Sequence, residues 1–232
     1  MYRYETHLHT FPVSQCAKVD AVNSLEIYKE MGYDGVFITN HFLDGNINRD
    51  VREQSYEEQI EFYFSDYEKA KAAEKEIGIK VFFGAEMTYK GTDFLVYGLD
   101  KKWFLAHPEI MDMEKSRELP FLMLHGALVI QAHPFREAKY IDHIRLFPRC
   151  VQGVEVINAC RTNEENQMAE LYAKHYGLLR FAGSDNHSGK ARAVFAGMES
   201  DTPILDELDF VKRVKAGEMR VFTQDNPHKK EK

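Results

Sequence analysis

Side chains that could bind metal ions stand near both ends of this sequence of 232 residues. His7 and His9 are two residues apart, and Asp185 and His187 repeat that spacing near the other end. In an extended strand the side chains at positions i and i+2 share one face, so each pair can bind one ion. Imidazole and carboxylate groups are ligands that Zn²⁺, Mn²⁺ and Fe²⁺ accept. The two pairs therefore indicate metal binding.

Three further candidate ligands each follow a predicted strand. They are His41 after 35–39, Glu86 after 80–85, and His133 after 127–132. A single buried histidine often does no more than satisfy hydrogen bonds. Ligands after so many different strands, however, are what a shared metal site at one end of a barrel requires. We therefore expect these residues to meet at one metal centre.

Strands and helices alternate along the chain. The predicted strands are 2–7, 35–39, 80–85, 94–98, 127–132, 153–157 and 178–182. The predicted helices are 20–32, 55–78, 119–124 and 162–177. A last predicted helix begins at Thr202 and has Leu205, Leu208, Val211 and Val214 on one face. This alternation predicts a mainly parallel α/β sheet with right-handed crossovers, and seven strands favour a barrel. We expect one domain over 1–226 and a polar tail over 227–232. In such barrels the active site lies at the carboxyl ends of the strands.

Asp93 differs from the other candidates because it begins its strand. A turn sequence at Lys90 and Gly91 predicts that the third and fourth strands form an antiparallel hairpin. The start of the fourth strand then lies beside Glu86 at the same end of the sheet. Asp93 is therefore a further candidate ligand.

The overall charge and the cysteines restrict the function. A net charge of -7 and a pI near 5.8 argue against a general nucleic-acid surface, which needs clustered Lys and Arg. No apolar run approaches the roughly 20 residues of a membrane span, so no membrane partner is expected. Cys16, Cys150 and Cys160 fit neither a disulfide framework nor a CxxC zinc site, which predicts reduced thiols in a cytoplasmic protein. Oligomeric state is not predicted.

Taken together, the motifs resemble the PHP (polymerase and histidinol phosphatase) superfamily. The similar segments are residues 7–10, 36–41, 84–86, 132–135 and 183–187, in this order along nearly the whole chain. The resemblance implies a distorted (β/α)₇ TIM-like barrel with two or three divalent ions of zinc, manganese or iron. It also implies a hydrolase acting on phosphoester bonds.

The resemblance also assigns ligands to three ions. The first ion has His7, His9, Glu86 and Asp185, the second has Glu86, His133 and Asp93, and the third has His41, His187 and Cys16. Many family members have His in place of Asp93, and Asp or His in place of Cys16. Cys16 could equally be a small buried residue. Asn40 stands where the family often has Asp.

The expected reaction is hydrolysis of a small phosphate ester, either a phosphomonoester or a nucleotide. Metal ions would lower the pKa of a bridging water, so that a metal-bound hydroxide attacks phosphorus. Arg136 is the preferred phosphate clamp, with Lys18 and Arg161 as alternatives. Glu155 and Asn158, at the end of the sixth strand, are expected to form hydrogen bonds within the barrel mouth.

Two other functions remain open at this point. One is a nuclease or exonuclease acting on DNA ends, which would use the same metal chemistry. The other is a metal-binding regulatory domain without catalytic activity, an alternative that the departures at Cys16 and Asn40 suggest. The remaining histidines are expected to be surface or packing residues, and they are His107, His125, His143, His175 and His228.

Overall fold

The computed structural model describes residues 1–191 and 193–228. The strands in these ranges are β1 (Tyr2–Leu8), β2 (Gly35–Ile38), β3 (Lys80–Tyr89), β4 (Thr92–Tyr97), β5 (Leu128–Ala132), β6 (Gly153–Asn158), β7 (Leu179–Gly183), β8 (Val194–Ser200) and β9 (Arg220–Asp225). The helices are α1 (Ala21–Glu30), α2 (Tyr56–Ile77), α3 (Lys101–Ala106), α4 (Lys115–Leu124), α5 (Asn163–Tyr176) and α6 (Glu207–Lys215). Helices and strands alternate for most of this length, as the sequence predicts.

The strands form one sheet that curls into a nearly closed barrel. Their order is β7-β6-β5-β4-β3-β2-β1-β8-β9. β1, β2 and β3 are parallel, as are β5, β6 and β7, whereas β4 runs antiparallel to both of its neighbours. Beyond the end of β7, Asn186 pairs with Leu8 of β1, and this bridge brings the two sides of the sheet together. The distorted α/β barrel expected from the sequence is confirmed.

Local sequence signals fix the ends of two long helices. Ser55 caps α2 in a capping box with Glu58, and α2 ends at Gly78 with a φ of 74°. A capping box also begins α5, with Thr162 as the capping residue. These side chains satisfy backbone N–H groups that have no partner inside the helix. Gly78 ends its helix because only glycine adopts that left-handed conformation readily.

Aromatic side chains fill the barrel beneath the carboxyl ends of its strands. Phe37 of β2 stacks on Phe82 of β3 with 4.9 Å between ring centres. Phe210 of α6 reaches Phe37 at 4.4 Å, Tyr97 at 5.4 Å and Phe181 at 6.1 Å, so that it contacts three different strands. The hydroxyl of Tyr97 donates to a backbone carbonyl of β1 at 2.5 Å. This packing forms a rigid floor below the site.

The prediction for the last helix was wrong at its beginning. The helix begins at Glu207 rather than at Thr202, because the carboxylate of Asp206 accepts a hydrogen bond from the backbone N–H of Asp209 at 2.8 Å. Leu205 therefore lies before the helix, and Leu205 and Leu208 are both exposed. The buried face consists of Phe210, Val211 and Val214.

Several other elements were predicted in part or not at all. The predicted helix 119–124 is the second half of α4, and α3 lies in the preceding stretch, for which no helix was predicted. β8 and β9 were also not predicted. Residues 229–232 of the predicted tail lie outside the described residues, and the single domain over 1–226 stays a prediction. Within the described ranges no helix is both long and apolar enough to cross a lipid bilayer.

Candidate metal centre

The nine predicted ligands gather around one cavity of about 620 Å³ at the carboxyl ends of the strands. Seven of them line the cavity, and they are Cys16, His41, Glu86, Asp93, His133, Asp185 and His187. His7 and His9 lie below it, where both are fully buried. Residues from 7 to 187 thus meet at one site, as the barrel prediction requires.

The carboxylate of Glu86 lies at the middle of this group. Its Oε1 is 3.0 Å from Nε2 of His7 and 3.4 Å from Nε2 of His133. Its Oε2 is 3.3 Å from Nε2 of His9 and 2.7 Å from Nδ1 of His41. Four imidazoles therefore converge on one carboxylate, and each oxygen faces two of them.

The donor atoms of the centre fit metal ions. Both Glu86 oxygens and Nδ1 of His41 are buried, and none of them makes an aligned hydrogen bond within the described residues. The Nε2 atoms of His7 and His9 face each other at 3.2 Å. Buried polar atoms without partners are costly, and a shared cation would satisfy them all. Nitrogen and carboxylate oxygen are a donor set suited to zinc, manganese or iron.

Ligand atoms form three overlapping groups in the part of the chain that the structure describes. The groups are His9, His41 and His187; His7, His9 and Asp185; and His7, Glu86 and His133. Within each group the atoms lie within 4.8 Å of one another. Each group is therefore compact enough to surround one ion with bonds of about 2.0–2.2 Å.

Two candidate ligands have strained backbones. Asp185 has a φ of 51° and His133 a φ of 25°, in a region that residues other than glycine rarely adopt. Such conformations persist where the surrounding structure enforces them, and they cluster at functional sites. In this conformation Asp185 Oδ1 lies 3.5 Å from Nε2 of His9. The strained backbones of His133 and Asp185 thus occur where their side chains meet the other candidate ligands.

Glu155 of β6 orients two of the histidines. Its Oε1 lies 2.9 Å from Nδ1 of His7, and its Oε2 accepts a hydrogen bond from the backbone N–H of His133 at 3.0 Å. The side-chain amide of Asn158 donates to the same Oε2 at 2.8 Å. Nδ1 of His7 therefore carries the proton, and Nε2 is directed into the site. Such carboxylate–histidine pairs tune metal ligands.

Ser14 and Asn40 orient His9 in a similar way. The Ser14 hydroxyl donates to Oδ1 of Asn40 at 2.8 Å, so it receives the proton on Nδ1 of His9, which lies at 3.1 Å. The Asn40 amide in turn approaches the buried carboxylate of Asp66 at 3.5 Å. An aspartate at position 40 would place a second buried carboxylate beside that of Asp66, and the two negative charges would repel each other. The amide thus supports His9 without that repulsion.

The pKa values of His9 and Glu86 favour the protonation states that bind metal, whereas nearby carboxylates outweigh burial and raise the pKa values of His7, His41 and His133. Burial lowers the pKa of His9 well below its usual value, and the nearby His187 and His41 lower it further. Burial alone would raise the pKa of Glu86, but His41, His7 and His9 hold it well below its usual range. A neutral imidazole and an ionised carboxylate are the states that ligate metal.

The thiol of Cys16 faces two of the histidines. Burial raises its pKa, but hydrogen bonds with His187 and His41 outweigh burial and lower the pKa to about 6. A thiolate beside two imidazoles matches the ligand role predicted for Cys16, since thiolate and imidazole both suit zinc. That role stays a prediction.

Asp93 lies where the predicted hairpin puts it. β3 and β4 are antiparallel, and Asp93 pairs with Thr88 on one side and with Ala132 on the other. Its Oδ2 lies 3.7 Å from Nε2 of His133 and 3.1 Å from Nη1 of Arg136, while its Oδ1 accepts a hydrogen bond from Thr88 at 2.7 Å. Asp93 therefore holds Arg136 as well as facing His133. Its ligand role stays a prediction.

Comparisons with known proteins agree with this fold. A family model described as PHP-associated matches residues 163–219. The fold resembles that of a two-domain protein from Bacteroides vulgatus that contains a predicted PHP-like metal-dependent phosphoesterase. The TM-score is 0.66 and the sequence identity is 13%, and the alignment covers 95% of this chain and 64% of that one. This chain shares that fold, and the family model matches it over residues 163–219. The chain spans less than two thirds of the Bacteroides protein.

Two other solved structures resemble this chain in fold. One is a proposed metal-dependent phosphoesterase from Bifidobacterium adolescentis, with a TM-score of 0.57 and 13% identity over 81% of this chain and 88% of that one. The other is the lesion-specific endonuclease PfuEndoQ from Pyrococcus furiosus, with a TM-score of 0.57 and 13% identity over 95% of this chain and 57% of that one. No curated protein matches the sequence significantly.

The three cations considered as phosphate clamps have different surroundings. Arg136 and Arg161 both line the cavity, whereas Lys18 does not. One nitrogen of Arg136 is paired with Asp93. Nε of Arg161 is buried without a hydrogen-bond partner among the described residues. Arg161 therefore retains a hydrogen-bond donor that no described residue uses.

A buried lysine links α4 to the β3–β4 hairpin. Nζ of Lys115 lies 2.9 Å from Asp44 and 2.7 Å from Glu118, and the Lys115 side chain is only 5% exposed. Asp44 in turn accepts a hydrogen bond from the backbone N–H of Thr88 at 3.0 Å. Because Thr88 also holds Asp93, this chain of contacts reaches the metal centre from outside the barrel. No sequence pattern predicts this chain of contacts, since the partners come from three separate segments.

We expect Lys115→Met to lower the free energy of unfolding by about 3–5 kcal/mol, because the change leaves two carboxylates buried without their cation. Lys101→Met is the matched control, since Lys101 pairs with Glu61 and Glu68, which are both largely exposed, and such pairs contribute about 1 kcal/mol or less. Urea unfolding of both variants measures the difference. Equal losses in the two variants would contradict the role assigned to Lys115.

Proposed function

We propose that the chain is a metal-dependent hydrolase that cleaves a small phosphate ester, either a phosphomonoester or a nucleotide. The observation that carries this proposal is the convergence of four imidazoles on the buried Glu86 carboxylate. This centre lies at the base of a cavity that two arginines also line. Cations for the phosphate oxygens and ligands for metal ions thus face the same space.

The proposed ligand sets differ in part from the three compact groups of ligand atoms, because His7 and His9 are each assigned to one ion only. His7, His9, Glu86 and Asp185 would hold one ion; Glu86, His133 and Asp93 a second; and Cys16, His41 and His187 a third. Divalent ions in these positions lower the pKa of water and neutralise the charge of phosphate oxygens. Glu155 and Ser14 keep the imidazoles of His7 and His9 oriented, and each does so through a hydrogen bond to Nδ1.

The arginines are proposed to bind the phosphate from the open side. The planar guanidinium of Arg161 has a free Nε, and that of Arg136 is held in position by Asp93. A guanidinium can donate two parallel hydrogen bonds to phosphate, which fixes the orientation of the group as well as its charge. We therefore place Arg161 beside Arg136 in the clamp.

Arg161→Ala is expected to lower kcat/KM by about 10–100-fold, since a hydrogen bond to a charged group contributes about 1.5–3 kcal/mol. Arg161→Lys should recover only part of the loss, because an ammonium lacks the planar pair of donors. Arg180→Ala is the control, as Arg180 is exposed and pairs with Glu170. Steady-state phosphate release measures all three. An unchanged kcat/KM in Arg161→Ala would remove Arg161 from the clamp.

The proposed activity is tested by phosphate release from a panel of phosphomonoesters and nucleotides with Mn²⁺, Zn²⁺ or Fe²⁺. We expect release that depends on metal and is lost in His7→Ala and Asp185→Ala. Bound metal without turnover on any substrate would contradict the proposal. That result would instead favour a metal-binding regulatory domain.

A nuclease is the second candidate function. The likeness of the fold to a lesion-specific endonuclease favours it, and the same metal chemistry would serve it. The net charge of -7 speaks against a long phosphate-binding surface. Cleavage of single-stranded DNA or of a DNA end that outpaces every small phosphate ester would reverse this ranking.

A further inference from the structure

The loop between β5 and β6 forms one rim of the cavity and is anchored at several points. The side-chain amide of Gln131 donates to the carbonyl of Arg145 at 2.7 Å near the end of the loop. Arg145 donates to the carbonyl of Lys90 at 3.0 Å in the hairpin turn. Ile141 packs on Gly91 in the same turn, where an added Cβ would come within 2.9 Å of it. The loop is thus fixed against the β3–β4 hairpin.

This anchored loop holds Tyr140 at the rim of the cavity. Tyr140 precedes Ile141, lines the cavity and is 68% exposed. The guanidinium of Arg136 lies 5.4 Å from the centre of its ring, which is within cation–π distance. A large aromatic side chain usually contributes to stability through burial. Tyr140 contributes little in that way, and much of its ring is open to a ligand.

The cavity has room for more than a phosphate group. Its volume of about 620 Å³ falls within the range of roughly 300–1,000 Å³ typical of sites for small organic ligands. The candidate metal ligands occupy the base, and Arg136 and Arg161 lie on the wall. Tyr140 is the aromatic residue, other than histidine, in the cavity lining. The alcohol part of a phosphate ester would therefore extend toward Tyr140.

We propose that Tyr140 determines specificity by stacking on a planar aromatic or heteroaromatic ring in the alcohol part of the substrate. This inference rests on the proposed phosphoesterase function. Tyrosine rings stack on nucleic-acid bases largely regardless of base identity, because every base has a π face. The Arg136 guanidinium adds a second planar group beside the ring. The substrate class is thus a phosphate ester that carries a ring, such as a nucleotide.

Adenosine 5′-monophosphate and ribose 5-phosphate form a matched pair of substrates, since they share the phosphate ester and the sugar and differ in the base. We expect kcat/KM to be at least about tenfold higher for the nucleotide, the effect of one stacking contact. Tyr140→Ala should remove this preference, so that the two substrates have similar kcat/KM values, whereas Tyr140→Phe should retain it. Tyr176→Ala, which removes an exposed tyrosine from the end of α5, is the control.

Equal kcat/KM values for the two substrates in the unchanged protein would overturn the inference, as would an equal loss on both in Tyr140→Ala. Release of phosphate from neither substrate would count against the proposed function instead. Calorimetric binding of the same two compounds then tests Tyr140 without turnover. Tighter binding of the nucleotide that Tyr140→Ala abolishes would support the inference, and equal binding of both compounds would overturn it.

Discussion

Glu86→Gln is expected to abolish phosphate release and to reduce the number of bound metal ions. The amide keeps the size of the carboxylate but loses the charge that four imidazoles and the ions share. Its NH₂ group would also point at ring nitrogens that need a metal. A loss of several kcal/mol of charge stabilisation at the metal centre corresponds to a fall in kcat of about 10³-fold or more.

Mass spectrometry of the bound metals and phosphate release test this expectation together. Glu61→Gln is the control, because Glu61 is exposed on α2 and pairs with Lys101. Circular dichroism of both variants checks that the fold is retained. A Glu86→Gln protein with its full metal content and normal turnover would show that this carboxylate is not a shared ligand.

Glu155→Gln is expected to weaken metal binding by about 10–100-fold, the usual effect of losing a partner that orients a ligand. Glu155 touches no cavity surface, and it acts through Nδ1 of His7 and the backbone of His133. An amide accepts the His7 proton more weakly than a carboxylate does. His7 should then lose both orientation and basicity.

A metal titration separates this positioning role from a direct one. Saturating metal should restore most of the kcat in Glu155→Gln, because the ligands themselves are unchanged, whereas it should not rescue Glu86→Gln. Glu170→Gln, on the exposed face of α5, provides the control. A Glu155→Gln variant with unaltered metal affinity, or with a loss of kcat that metal does not rescue, would contradict the positioning role.

The sequence predicts the barrel and the nine residues around the cavity because both depend on the order of short segments along the chain. A short strand followed by a polar residue repeats along the chain, and in a parallel sheet each repeat delivers a side chain to the same end. His7 and His9 illustrate this, since their spacing alone puts both on one face of β1. Even Asp93 follows this logic once its hairpin is recognised.

Partners that join distant segments could not be predicted in this way. Asp66 lies in the middle of α2, and nothing in its neighbourhood indicates that it faces Asn40 from the preceding strand end. Lys115 resembles an ordinary surface lysine in sequence, although it is buried between Asp44 and Glu118. These contacts depend on how the helices pack around the barrel. Packing of that kind leaves no periodic signal.

The elements after β7 show a different limit. β8 contains Gly197, which lies so close to the backbone of Tyr4 that a side chain there would clash. Glycine is usually a signal against a strand, and in this case it marks the close approach of two strands. The beginning of α6 was predicted wrongly because Thr202 and Asp206 both resemble capping residues, and the hydrogen bond of Asp206 is visible only in three dimensions.

The overlap among the three groups of ligands limits how ions can share the centre. Nδ1 of His7 is occupied by Glu155 and Nδ1 of His9 by Ser14, so each ring has only its Nε2 lone pair for metal. One lone pair binds one ion, and neither histidine can therefore belong to two ions at once. Glu86 has two free oxygens and can bridge. Sharing of a ligand between the first two proposed ions thus depends on this one carboxylate side chain.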